Sequence, residues 1–174
     1  FAADHATHTA GTMIASGLNR DARGMAYLGR IDAYDASNDA AEVAMAATRD
    51  GLKLSNHSYG PTVGWYPGLL GDGKWVWMGD TRVSEAEDFA FGFYDDRSRT
   101  WDLVQYNAPY YLFVGAAGNV RDYNPPTQPV DHWVFDFAQN QWVESNAERA
   151  YNNAYDTLSG THTTSKNSLV VGAV

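Results

Sequence analysis

The chain has 174 residues, 44% of them apolar and 14% aromatic, enough to bury a sizeable core in one globular domain. A total of 12 Lys and Arg against 21 Asp and Glu leaves a net charge of −9, a surface that repels nucleic acid and anionic membrane. With no cysteine there is no disulfide scaffold, no thiolate nucleophile and no cysteine-ligated zinc or iron–sulfur site.

No run approaches the roughly 18 apolar residues of a membrane span. The opening residues, Phe1-Ala2-Ala3-Asp4-His5, have neither the basic start nor the apolar core of a signal peptide. The first residue is not Met, which reads as a processed or trimmed chain whose own targeting signal, if any, lies outside it.

Apolar spacing predicts a helix over residues 4–16, with Asp4 as its N-cap and Gly17 as its stop. Residues 28–34 read as a strand. An alanine-rich amphipathic helix is expected over 38–50 and a strand over 52–59. Residues 61–87 are rich in Gly, Trp and acidic side chains, and Lys74-Trp75-Val76-Trp77, with glycines on both sides, reads as a small hairpin. A helix is expected near 97–106 and a strand over 110–117. Residues 121–155, with Pro125-Pro126, Trp133 and Trp142, again break the rhythm, and a last strand covers 169–174. Strands alternating with helices predict an α/β fold with a mainly parallel sheet flanked by helices. The strands read as near-continuous apolar runs, as buried parallel strands do. The stretches at about 61–87 and 121–155 are expected to be surface insertions, and no second domain or repeat is evident.

Four segments carry the chemistry. In Asp4-His5-Ala6-Thr7-His8-Thr9-Ala10-Gly11-Thr12, His5 falls in the first helical turn, where the helix dipole disfavours imidazolium and suits an imidazole to accept a proton. A histidine on a packed helix is more often a hydrogen-bonded core residue, and His8 keeps that reading. The two histidines are three apart, whereas a zincin helix has them four apart with a glutamate between, so no metal is assigned to them. Ser55-Asn56-His57-Ser58-Tyr59-Gly60 closes a strand with small polar residues that can expose backbone groups to an extended peptide. Val114-Gly115-Ala116-Ala117-Gly118-Asn119 is an apolar strand ending in Gly-Asn. A simple turn explains that ending as well as an Asn119 amide projecting into a cleft does. Lys166-Asn167 followed by residues 168–174 would alone be only a strand.

Together the four segments resemble the subtilisin-like (subtilase) family. His5-Ala6-Thr7-His8-Thr9-Ala10-Gly11-Thr12 is similar to its histidine motif, whose first histidine is the general base. Ser58-Tyr59-Gly60 resembles the strand lining its substrate cleft. Ala117-Gly118-Asn119 resembles the motif whose asparagine completes the oxyanion hole. Lys166 to Ala173 resembles the strand that follows, and Gly24-Met25-Ala26 fits the turn after the histidine helix. Two features depart from the pattern: Ala6 stands where the family usually has glycine, and the loop at 35–39 is short. Calcium, common in the family, finds no ligand set between Gly17 and Arg23, so no cofactor is carried over.

The resemblance implies a serine endopeptidase with a polypeptide substrate, secreted or at the cell surface. Subtilases run Asp, His, Ser along the chain. Their order places the aspartate before Phe1 and the serine after Val174, so residues 1–174 read as the central part of one catalytic domain, inactive alone. Ser159-Gly160-Thr161 has His162 where a nucleophile would stand. Ser58, Tyr59, Gly60, Ala117 and Gly118 are expected to wall the pocket for the residue before the scissile bond, with its base near Gly160 and Val120 at the rim. No charged residue is expected in it, and the preference expected is for large apolar side chains. The competing reading is a non-catalytic module that binds protein or glycan through an exposed Trp65, Trp75 and Trp77 region. A nucleotide-binding domain lacks its glycine-rich phosphate loop.

Overall fold

The computed structural model describes residues 2–155 and 158–173. Those residues form two compact units, one within Phe1–Asp39 and one within Ala40–Val174.

In the first unit, helix α1 (Ala2–Ile14) begins earlier than expected, so Asp4 lies in its first turn and is not the N-cap. A carboxylate there still complements the helix dipole. The last carbonyls of a helix need outside donors. Here the returning chain supplies them: Gly24, Met25 and Ala26 N–H groups donate to the carbonyls of Ala15, Thr12 and Met13 at 2.9, 3.0 and 2.7 Å. A Cβ on Gly24 would stand 2.4 Å from the Ala15 nitrogen, so only glycine allows this approach. The strand expected over 28–34 is not formed; these residues lie in turn and irregular backbone, and Leu28 is 87% exposed. A strand needs a neighbour for its N–H and C=O groups, and no other strand exists among the described residues of this unit.

The second unit is built on three parallel strands in the order β1-β4-β7: β1 (Leu54–His57), β4 (Leu112–Ala116) and β7 (Leu169–Val171). The strand expected over 169–174 therefore ends early, and Val174 lies outside the described residues. Helix α2 (Asp39–Met45) continues as a π-helical turn, Ala46–Asp50, and stops at Gly51, close to the expected span of 38–50. Helix α3 (Asp96–Asn107) is capped by Asp95, whose carboxylate accepts from the Ser98 N–H. One face of the sheet is buried against the helices in a core of Val43, Trp101, Val104, Ala108, Tyr111 and Phe113. The strands are thus one-sided: Phe113 and Gly115 are buried while Leu112 and Leu169 are exposed.

The two stretches read as insertions pair with each other. Strands β2 (Trp65–Pro67), β3 (Trp75–Trp77), β5 (His132–Asp136) and β6 (Gln141–Ser145) form a second sheet in the order β2-β3-β5-β6. The β3–β5 pair is parallel and the other two pairs are antiparallel. Residues 75–77 are therefore one strand of a hairpin whose other strand is β2. Trp65 and Trp77 are 0% and 1% exposed and, with Val134, make a core of their own. They are not part of an exposed aromatic surface, because burying an indole between sheet and loops removes more apolar area from water than any other side chain could.

Candidate active site

The loops at the carboxyl ends of β1 and β4 carry most of the candidate residues, as parallel sheets favour. Beyond β1, Ser58 Oγ accepts from Asn56 Nδ2 at 2.9 Å. The Tyr59 hydroxyl lies 2.5 Å from His57 Nδ1. His57 is buried, stacked on Phe113 with centroids 4.0 Å apart, and its Nε2 lies 2.6 Å from Ser55 Oγ. Ser55 Oγ is hydrogen-bonded in turn to the Tyr111 hydroxyl. A polar chain thus runs from Tyr111 through Ser55 and His57 to Tyr59, tying the β1 exit to the helix-packed core.

Beyond β4, the Ala117 N–H donates to the Val171 carbonyl at 2.9 Å. Gly118 has φ +109°, a conformation that L side chains rarely adopt. Asn119 follows and is exposed, with its amide bonded to none of the described residues. The chain just beyond it is anchored from the second sheet: buried Asn152 donates to the Val120 carbonyl at 2.8 Å and to the Trp65 carbonyl at 3.0 Å, and accepts from the Trp65 N–H at 2.7 Å. The second sheet therefore braces the turn that bears Asn119.

Gly160 is buried, and its N–H donates to the Ala90 carbonyl at 3.3 Å. Two residues on, His162 is fully buried and joins the candidate segments. Its ring lies 5.8 Å from that of Tyr59 and its Cε1 is 4.0 Å from where a Gly60 Cβ would stand. Its Nε2 is 3.4 Å from the Ala116 carbonyl. The structure thus brings Tyr59, Gly60, Gly115 and Ala116 to one imidazole that the sequence had marked only as standing where a nucleophile would be.

A carboxylate lies beside Gly160. A Cβ on Gly160 would be 2.9 Å from Asp95 Oδ2. Asp95 Oδ1 accepts from Ser98 N, Ser98 Oγ and Thr161 N at 2.7, 2.8 and 3.1 Å. Partial burial pushes this carboxyl up, but those hydrogen bonds and the Arg97 charge outweigh it and hold the group below its ordinary value. Asp95 precedes a helix as Asp often does. Its contact with a glycine 65 positions away leaves no signal in the sequence.

His5 and His8 are both exposed on α1, and their carbonyls accept from Thr9 Oγ1 and Thr12 Oγ1 at 2.9 and 3.0 Å. His5 belongs to the first unit, and the other candidates belong to the second. Among the described residues no group of three or more His, Asp or Glu side chains is placed to hold a metal ion. None of the described helices is long and apolar enough to cross a membrane.

A parallel sheet flanked by helices, with glycines in the turns at its carboxyl edge, defines an α/β fold. The Subtilase family model matches residues 1–174, and the chain belongs to that family of serine peptidases. No curated protein and no solved structure matches it.

Proposed function

We propose that residues 1–174 supply the general base, the oxyanion donor and much of the substrate cleft of a subtilisin-type serine endopeptidase. The observation that carries this reading is the family match over the whole chain. Support comes from the convergence of Tyr59, Gly60, Gly115 and Ala116 on His162.

In this mechanism a serine hydroxyl attacks the peptide carbonyl while His5 takes its proton; as the C–N bond breaks, His5 returns that proton to the leaving amine. The Asn119 amide donates to the oxygen that becomes negative. Ser58-Tyr59-Gly60 and Ala117-Gly118 hold the extended substrate, and Gly160 lies at the base of the pocket before the scissile bond. A secreted or cell-surface location belongs to the same reading.

Residues 1–174 contain a base and a donor but no assigned nucleophile or triad aspartate. The isolated chain is therefore expected to hydrolyse no peptide and to take no label from a fluorophosphonate probe. In the full-length peptidase, His5→Ala should abolish labelling while a folded His8→Ala protein keeps it. Stoichiometric labelling of the isolated chain would mean that one of its own serines is activated, and the reading of an incomplete active site would fall.

A further inference from the structure

We propose that Asn152, together with Asn124, is a positioning residue for the reaction. It ties the chain just beyond Asn119 to the edge of the second sheet and so fixes where the Asn119 amide points. The inference rests on the oxyanion role proposed for Asn119, and it gives the second sheet a part in turnover.

The starting point is the edge of that sheet. Among the described residues β2 has a neighbouring strand on one side only, β3, and an edge strand presents N–H and C=O groups that no strand pairs. At Trp65 the Asn152 side chain stands where a second neighbour would be. Its Oδ1 accepts from the Trp65 N–H at 2.7 Å, and its Nδ2 donates to the Trp65 carbonyl at 3.0 Å. A primary amide offers the donor and acceptor of a peptide group with one N–H to spare. That second N–H donates to the Val120 carbonyl at 2.8 Å, one residue beyond Asn119. Asn152 is fully buried, and a Cβ on Gly64 would overlap its Oδ1, so the glycine before Trp65 is what lets the amide approach.

The loop after Asn119 is held at three further points. The Asn152 N–H donates to Asn124 Oδ1 at 2.7 Å, Asn124 Nδ2 donates to the Arg121 carbonyl at 3.0 Å, and Arg121 Nη1 donates to the Tyr155 carbonyl at 2.9 Å. Residues 120–124 are therefore clamped onto residues 152–155. On the other side of Asn119, Ala117 is bonded to β7 and Gly118 takes its positive φ. The direction of the exposed Asn119 amide is thus set by the backbone on either side of it. Beyond Asn119, the fixed reference for that backbone is Trp65, buried with Trp77 and Val134 in the core of the second sheet. A donor that need not reorient at the moment of reaction is what makes an oxyanion site effective.

The test is a double-mutant cycle in the full-length peptidase, with kcat and KM measured for Asn119→Leu, Asn152→Ala and the double variant. Asn152→Ala should lower kcat roughly 10- to 100-fold, as a displacement of about 1 Å in an active site does, with KM nearly unchanged. In the Asn119→Leu background the same substitution should change kcat by no more than about 2-fold, because the group it positions is gone. Asn152→Ala also leaves backbone groups of Trp65 and Val120 without their partner. If circular dichroism shows that it does not fold, the cycle is run with Asn124→Ala, which removes a half-buried side chain from the same clamp. A fall in kcat that vanishes in the Asn119→Leu background is again expected. Wild-type kcat in the folded variant, a change confined to KM, or an equal fall with and without Asn119 would overturn the inference and leave the peptidase reading intact. Wild-type kcat in Asn119→Leu would overturn the oxyanion role and this inference with it. No cleavage by the wild-type protein would overturn the peptidase reading as well.

Discussion

Asn119 shows how little of a side chain's role lies in its own contacts. Its amide is exposed and bonded to no described residue, while the backbone on both sides of it is held by Gly118 at positive φ and by Asn152 on the Val120 carbonyl. In the oxyanion role proposed for it, this donor would meet a charge that exists only during reaction, and its contribution would belong to the transition state. Asn119→Leu in the full-length peptidase should slow kcat by about 10²–10³ with KM nearly unchanged. That magnitude is the one known for subtilisin's own oxyanion asparagine and is carried over to this chain. A change confined to KM in steady-state assays would argue against the role.

Among the elements, α1 depends on the segment that returns to its end. Three N–H groups of residues 24–26 satisfy its last carbonyls, and they reach those carbonyls only because Gly24 has no Cβ. Gly24→Ala would press a methyl group to 2.4 Å from backbone, which cannot move aside as a flexible side chain would. Overpacking of this kind costs about 1–3 kcal/mol. The variant should lower helix content by circular dichroism and expose the first unit to proteolysis, whereas Gly11→Ala, with nothing within 4 Å of the added Cβ, should not. Helix α3 is the contrasting case: its cap is a side chain, and that side chain serves the neighbouring loop as well, through Thr161.

For the molecule as a whole, stability should depend on pH through the second sheet. His132 is fully buried and edge-on to Trp65, with centroids 4.8 Å apart. Its Nδ1 lies 2.8 Å from the Val130 carbonyl, which can only accept, so Nδ1 carries the proton. Nε2 has no partner among the described residues, and protonating it would bury an unsatisfied N–H. Burial pushes this histidine below its ordinary value of 6.5, with the Arg149 charge adding to the effect and the Val130 hydrogen bond and Asp131 opposing it. Below pH 6.5 the unfolded chain therefore binds a proton that the folded chain refuses. The stability contribution is present above that pH and is lost as pH falls toward the lower folded value. Urea denaturation between pH 7 and 5 should show a shallower loss of stability in His132→Gln than in the wild-type chain; equal slopes would rule out this residue as the cause.

The sequence by itself determined the parts governed by short-range patterns. The 3.6-residue spacing around Ala40 and Trp101, the apolar runs of β1 and β4, and the ordered motifs at His5, Ser58, Asn119 and Lys166 are all local, and together they point to the subtilase family. The failures were also physical. Residues 28–34 have a strand's composition but meet no strand among the described residues of their unit, and pairing is a tertiary property. Residues 61–87 and 121–155 looked like separate excursions because alternation over strands of three to five residues is too brief to stand out. Only folding shows that they form one sheet, and that Asn152, bonded to Trp65 of that sheet, holds the Val120 carbonyl next to Asn119. Two other contacts are likewise long-range: His162 against Tyr59 and Gly60, and Asp95 beside Gly160. A carboxylate and a glycine 65 positions apart leave no joint periodicity in the chain, and only the packing of the tertiary structure makes them neighbours.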